Sequence, residues 1–471
     1  GAAPAAAAAA KKRAGVFAST FNLVNTIVGG GVLAIPFGYR QTGLVLGILL
    51  TVLVGVLSTF SAHLLVSGSV VAERMHGGRV RSYKALVTAT YGIGGGYLVE
   101  VCILLFLLGP TTGYLAIVGR TLQPYLSTWT GRDEWYTSVN MIAAVLLLVV
   151  KLPLSMLPSM NALRFTSLLA VGAIMFLVGA IAIDAIIRAA TLEPKPIEWF
   201  IFGRSAFAAV SILTFAFTMH LQMFPIWDEM RRDTRGRITG VISSAILICG
   251  VIYVTVGAFG YVTFFDLLGD NILEHYDDDV VIEVGKFGFV AMICFSYPLM
   301  VFPARLSFDT LCMALYTFAT SRLHRVQPLL ATETDEQSRH RGPYPTVRRV
   351  AQVLTISAVS YVLLIATSGQ IGFIFGFVGA TIGTFVVFIL PALCYICLCI
   401  YNEYRATKCN YGEPRKRPLH LLLEPTFVGA CALIAIGFFF AAVGLWALFD
   451  ESIATGPPDA PMTPSSSSSS S

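Results

Sequence analysis

The chain has 471 residues, 56% of them hydrophobic and only 13% charged, and its mean hydropathy is +0.74. That balance excludes a water-facing surface over most of the length, and the net charge of +5 is accounted for by Lys and Arg flanking apolar stretches, not by a nucleic-acid-binding face. The nine cysteines lie in apolar stretches or in connections assigned to the cytosol, so no disulfide framework is expected; the run containing Cys394, Cys397 and Cys399 has no nearby histidine and reads as helix packing, not as a zinc site.

An alanine-rich start and a serine-rich end frame the chain, and 1–15 and 451–471 are expected to be disordered. Between them, a helix needs roughly 20 apolar residues to cross a bilayer core. Candidate spans fall near 17–38, 43–70, 95–124, 136–157, 162–190, 203–227, 238–266, 281–304, 349–367, 371–400 and 422–449. Lys11, Lys12 and Arg13 precede the first, which lacks a small-residue cleavage site and is expected to be retained.

An odd number of spans puts the termini on opposite sides. Of 32 Lys and Arg, 25 fall in connections on the side of the N-terminus, Lys151 and Arg164 among them, which predicts a cytosolic N-terminus. The other side is acidic at Asp266, Asp270, Glu274 and Asp277–Asp279, and Ser368-Gly369-Gln370 reads as a tight hairpin there. The charged connection over 316–348 is expected in the cytosol, either as a solvated loop or as a regulatory segment.

Two spans carry interruptions. The first contains Gly29-Gly30-Gly31, which either lets helices pack closely through small residues or supports an unwound segment, tolerated at that depth only where it lines a polar cavity. The sixth places Thr218, His220 and Gln222 in an apolar stretch closed by Pro225. Spans one and six are equivalent members of two five-helix halves, and paired interruptions at equivalent positions point to an inverted-repeat transport site. An all-α, polytopic membrane domain over 16–450 is therefore expected, with repeats near 16–190 and 203–400 and an additional helix near 422–449. N–H groups at such a break suit a carboxylate and exposed carbonyls suit an ammonium, so the complementary ligand is a zwitterion. Thr26, Gly29, Gly30, Gly31, Phe215 and Thr218 are the candidate substrate contacts.

Phe21-Asn22-Leu23-Val24-Asn25-Thr26-Ile27-Val28-Gly29-Gly30-Gly31-Val32-Leu33-Ala34-Ile35-Pro36-Phe37 resembles the first-span signature of the amino acid/auxin permease family. Phe217-Thr218-Met219-His220 leading to Phe224-Pro225-Ile226-Trp227-Asp228-Glu229-Met230, and Phe295-Ser296-Tyr297-Pro298-Leu299-Met300-Val301-Phe302-Pro303-Ala304-Arg305, agree in order and spacing. The resemblance is strongest to the branch of sodium-coupled neutral amino acid transporters and vacuolar amino acid transporters, and implies about eleven spans in a LeuT-like fold. It also implies a cation site, sodium in the coupled members, whose ligands match Asn25 and Ser296. Gly30 stands where the pattern often has serine or alanine, and Cys294 where threonine is frequent; a thiol there would put sodium coupling in doubt.

Glu100 in the third span is an ionisable residue in the membrane, so it either carries a proton or bonds another helix; His220 has the same two readings. Asp228 and Glu229 end the sixth span where the helix dipole disfavours negative charge, and Arg305 is their candidate partner in an inner gate. The expected function is cation-coupled uptake of neutral amino acids by alternating access, with proton-coupled vacuolar or lysosomal transport, or amino acid sensing on a transporter fold, as alternatives. The partners implied are a small-molecule amino acid and the lipid bilayer, with no nucleic acid, and no cofactor beyond a coupling sodium or proton. No nucleophile–base pair, HExxH or paired intramembrane aspartates support an enzyme.

Overall fold

The first apolar stretch breaks where the sequence removes its side chains. Helix α1 (Val16–Ile27) stops at Val28, Gly29 has φ −99° and ψ −150°, and a tight helical turn over Gly30–Ala34 leads into α2 (Ile35–Thr42). The two arms meet at 51°. Glycine makes this cheap because extended and turning backbone cost it little, and Pro36 stands in the first turn of α2, where a missing N–H is harmless. The computed structural model describes residues 15–131, 134–157, 164–191, 196–230, 234–276, 280–320, 345–409 and 424–454. The expectations for 1–14, for 455–471, for Asp277–Asp279 and for most of the 316–348 connection lie outside the described residues.

Gly43, at φ +76°, ends α2 and starts α3 (Leu44–His76), which closes on Gly77 in the left-handed region. Helix α4 (Tyr83–Thr130) is capped by Ser82, whose side chain accepts from the Ala85 N–H, and is bent at Gly92, φ +75°. Then come α5 (Val139–Ser155), α6 (Arg164–Thr191), α7 (Ser205–Ala216), α8 (Met223–Glu229) and α9 (Arg235–Phe264). The remainder is α10 (Val280–Thr320), α11 (Pro345–Ala366), α12 (Ile371–Val378), α13 (Leu390–Cys409) and α14 (Pro425–Ala454), with two wide π-helical turns between α12 and α13.

Among the described residues eight helices are long and apolar enough to cross a bilayer, nine with the bent α1–α2 pair; α5 and α7 are apolar but shorter. They occupy the two remaining expected spans, α7 continuing through a break into α8. Helix α4 packs against α10, α9 against α1 and α3, and α7 against α2, α12 and α14, around a large buried apolar cluster and a smaller one where α7 meets α14. Leu49, Val52 and Val56 on α3 and Phe438 and Phe439 on α14 remain exposed, as side chains facing lipid would be.

One placement corrects the sequence reading. Lys151, counted with a charged inner connection, is 0% exposed and lies inside α5, its Nζ donating to the Tyr114 carbonyl at 2.8 Å. The apolar stretch continues past it through Leu152 and Leu154, so the lysine was enclosed, not terminal.

Candidate functional site

The breaks in the first and sixth spans face one cavity of about 50 Å³, lined by Thr26, Gly29, Gly30, Gly31, Phe215 and Thr218 together with side chains of α4 and α10. All six candidate substrate contacts thus meet at one place. Gly30 and Gly31 open a helical turn, so among the described residues their N–H groups have no backbone acceptor, and that of Gly30 faces the Tyr114 hydroxyl. Thr26 and Thr218 return their hydroxyls to carbonyls one turn back, those of Asn22 at 3.0 Å and Thr214 at 2.9 Å. The hydroxyl protons are therefore engaged, while the oxygens can still accept.

Residues the sequence did not disclose shape this cavity and hold the two breaks that face it. The Tyr114 hydroxyl presses on the glycine run: a Cβ added at Gly29 would sit 2.5 Å from its oxygen, and one at Gly30 2.6 Å from Ile117 Cδ1. Phe106 packs on Phe215 at 5.7 Å between ring centroids, and Phe215 stacks on Phe375 of α12 at 4.3 Å. From α9, the buried Tyr253 hydroxyl lies 2.8 Å from the Ile27 carbonyl and 2.9 Å from that of Ala216, the last helical residues before each break. An aromatic residue in an apolar helix carries no sequence signal that separates these roles from packing.

The other candidates lie elsewhere. Asn25 and Ser296 are not among the cavity-lining residues. The Asn25 Oδ1 is buried without a donor, whereas the Ser296 hydroxyl donates to the Met292 sulfur at 3.3 Å on its own helix. No hydrogen bond joins the two among the described residues. His220 is fully buried and is not among the cavity-lining residues; its ring faces the Ser58 backbone on α3, and among the described residues neither ring nitrogen nor the Ser58 hydroxyl has a hydrogen-bond partner of good geometry. Glu100 sits 3.9 Å from Lys84, which the bend at Gly92 folds back toward it.

The proposed inner pair is not formed. Asp228 meets Arg79 at 3.6 Å, both well exposed, while the largely buried Arg305 guanidinium lies over the Phe302 ring, 4.9 Å from its centroid. Arg79 comes from the short connection before α4, which sequence distance hid from α8. The same connection contributes Arg81, 2.9 Å from Glu73 and stacked 3.6 Å over the buried Trp227. Glu229 is exposed. At the opposite end, Arg120 on α4 reaches Asp270 and Glu274, each at 2.7 Å, and the Gly369 carbonyl at 3.2 Å. Asp270 in turn accepts from the Gly372 N–H at 3.0 Å.

Two broken helices meeting at a midspan cavity, inside a bundle of long apolar helices, define the architecture of a multi-pass membrane transporter. The chain belongs to the transmembrane amino acid transporter protein family, whose model matches residues 12–411. It is 28% identical over 382 residues to solute carrier family 38 member 10 of Mus musculus, an alignment covering 79% of this chain but 32% of that protein. Against vacuolar amino acid transporter 6 of Saccharomyces cerevisiae it is 26% identical over 411 residues, covering 81% of this chain and 89% of the yeast protein. Among solved structures, Mhp1, a nucleobase-cation-symport-1 family transporter in a closed conformation, superposes with a TM-score of 0.54 at 12% identity, covering 93% of this chain and 94% of the other. A Na+-coupled sialic acid symporter gives 0.53 at 12% identity, covering 93% and 88%. These likenesses establish the LeuT-like fold.

Proposed function

We propose that the protein is a secondary active transporter of neutral amino acids, working by alternating access around the cavity between the two broken helices. The observation that carries the substrate class is the lining: of its side chains none is a carboxylate, lysine, arginine or histidine. A zwitterion can place its carboxylate at the N–H groups of Gly30, which faces the Tyr114 hydroxyl, and Gly31, at the positive end of the helical arm that runs to Thr42. Its ammonium then turns toward the threonine oxygens, and its side chain meets Phe106, Phe215 and Met300. A charged side chain would be buried among these without a partner, at a cost of several kcal/mol.

A proton is the coupling ion in this reading, supported by the engagement of the Ser296 hydroxyl with the Met292 sulfur. The membrane of an acidic compartment fits such coupling, in line with the vacuolar name of the yeast relative. The test is uptake of a panel of radiolabelled amino acids into proteoliposomes holding the purified chain, with sodium and proton gradients imposed separately. Proton-driven accumulation of alanine, serine or glutamine, but not of lysine or glutamate, is the expected result. Accumulation driven by sodium and lost in Asn25→Ala would restore the sodium site, and binding without flux would make the protein a sensor.

A further inference from the structure

We propose that Lys151 is the side chain that carries the coupling proton, a reading that rests on the transport function proposed above. Lys151 is one of the largest side chains buried completely in the molecule. A membrane-buried ammonium is stable only when paired, hydrogen-bonded or hydrated, and lysine can escape the cost by giving up its proton. Its partners here are incomplete. Nζ donates to the Tyr114 carbonyl at 2.8 Å and lies 5.2 Å from the centre of the Tyr297 ring.

No carboxylate lies within ion-pair distance of it among the described residues. From α4 it meets Tyr114; from α10, Cys294 and Tyr297 face it. From α11, Ser357 accepts from the Tyr297 hydroxyl and Ser360 bonds to Thr111. On its own helix, Ser155 donates to the Lys151 carbonyl. The site can therefore hold the neutral amine with modest loss and the ammonium only when water or substrate reorganises it.

The location connects that choice to the substrate. Tyr114 offers its carbonyl to Lys151, while its ring and hydroxyl line the cavity against Gly29 and Gly30. The backbone holding Lys151 is widened into a π-helical turn over Leu147–Lys151, an irregularity frequent at functional positions. When the bundle opens to the acidic side, water reaching α5 delivers a proton to Nζ. When it opens to the other side, the ammonium returns the proton to water and resumes the neutral form.

The experiment uses the full chain in proteoliposomes with radiolabelled L-alanine, comparing wild type, Lys151→Gln and Lys151→Arg. Two readouts are taken: alanine exchange at equal pH on both sides, and accumulation under an inward proton gradient. Glutamine keeps a neutral N–H donor for the Tyr114 carbonyl but cannot carry the proton, so this variant is expected to fold if the permanently charged arginine variant does not. Both variants should exchange alanine within about threefold of wild type and lose accumulation by at least about tenfold. Gradient-driven accumulation at the wild-type level in either folded variant overturns the proposal, as does a wild type whose accumulation ignores the proton gradient. A wild type that exchanges no alanine at all brings down the transport reading and this proposal with it.

Discussion

At the scale of single residues, the glycine run makes three different demands. A methyl at Gly29 or Gly30 would collide with Tyr114 or Ile117, whereas at Gly31 the nearest atoms stand 3.5 Å away, an ordinary contact. Gly29→Ala and Gly30→Ala are therefore expected to lower alanine uptake by at least about tenfold, with Gly31→Ala within about threefold of wild type, as initial rates in proteoliposomes would show. The run itself was legible in the sequence because glycine and buried threonine advertise their backbone chemistry. Tyr114, Phe106 and Tyr253 were not, since an aromatic residue on an apolar helix reads the same whether it packs or positions. Lys151 was misread for a related reason: one lysine near the end of an apolar stretch resembles the usual charge at a membrane interface.

Between elements, the two ends of the bundle are held by contacts of different strength. The Arg79–Asp228 pair is solvent-exposed, and such pairs contribute about 0–1 kcal/mol. Reversing both charges should leave uptake and melting temperature nearly unchanged. The Arg120 cluster is another matter, since it ties α4 to the connection before α10 and to the α11–α12 hairpin with its carboxylates largely enclosed. Arg120→Ala leaves Asp270 and Glu274 facing each other without their cation, a loss of about 3 kcal/mol in this arrangement. A cysteine introduced at Thr26 is expected to react faster with a membrane-impermeant thiol reagent added from that end in Arg120→Ala than in the parent, measured by labelling kinetics. Neither pairing was readable from sequence, because Arg79 and Asp228, like Arg120 and Asp270, are brought together only by the folded topology.

For the whole molecule, hydropathy gave nearly the complete architecture: every expected span coincides with a helical segment, including the two that length alone would reject. The reason is physical. Backbone groups in a bilayer must be satisfied internally, so an apolar stretch of sufficient length has few alternatives to a helix. What stays hidden is facing, as shown by α14, whose Gly444 lies against Ser211 and Ala380. A bulky residue at that point should wedge α14 from α7 and disturb the sixth-span break from behind. Gly444→Leu is expected to lower the melting temperature of the detergent-solubilised protein by several degrees, with about 1–3 kcal/mol of overpacking.

Tyr253 has a consequence of a numerical kind. Its hydroxyl owns one hydrogen, yet two carbonyls compete for it, one from each broken helix. Both cannot take that hydrogen at once, although the Ile27 carbonyl also accepts from the Gly29 N–H at 2.9 Å. If either half-helix swings away, the hydrogen rotates wholly to the one that stays; a departing Ile27 carbonyl keeps the Gly29 N–H, whereas a departing Ala216 carbonyl needs water. Separation is thereby made cheaper than the rupture of two independent bonds, and the same oxygen is waiting when the helix returns. Tyr253→Phe removes the shared donor, leaving the Ile27 carbonyl with the Gly29 N–H alone and the Ala216 carbonyl without its tyrosine bond, which should slow alanine exchange in proteoliposomes by about tenfold while leaving the helical content seen by circular dichroism intact.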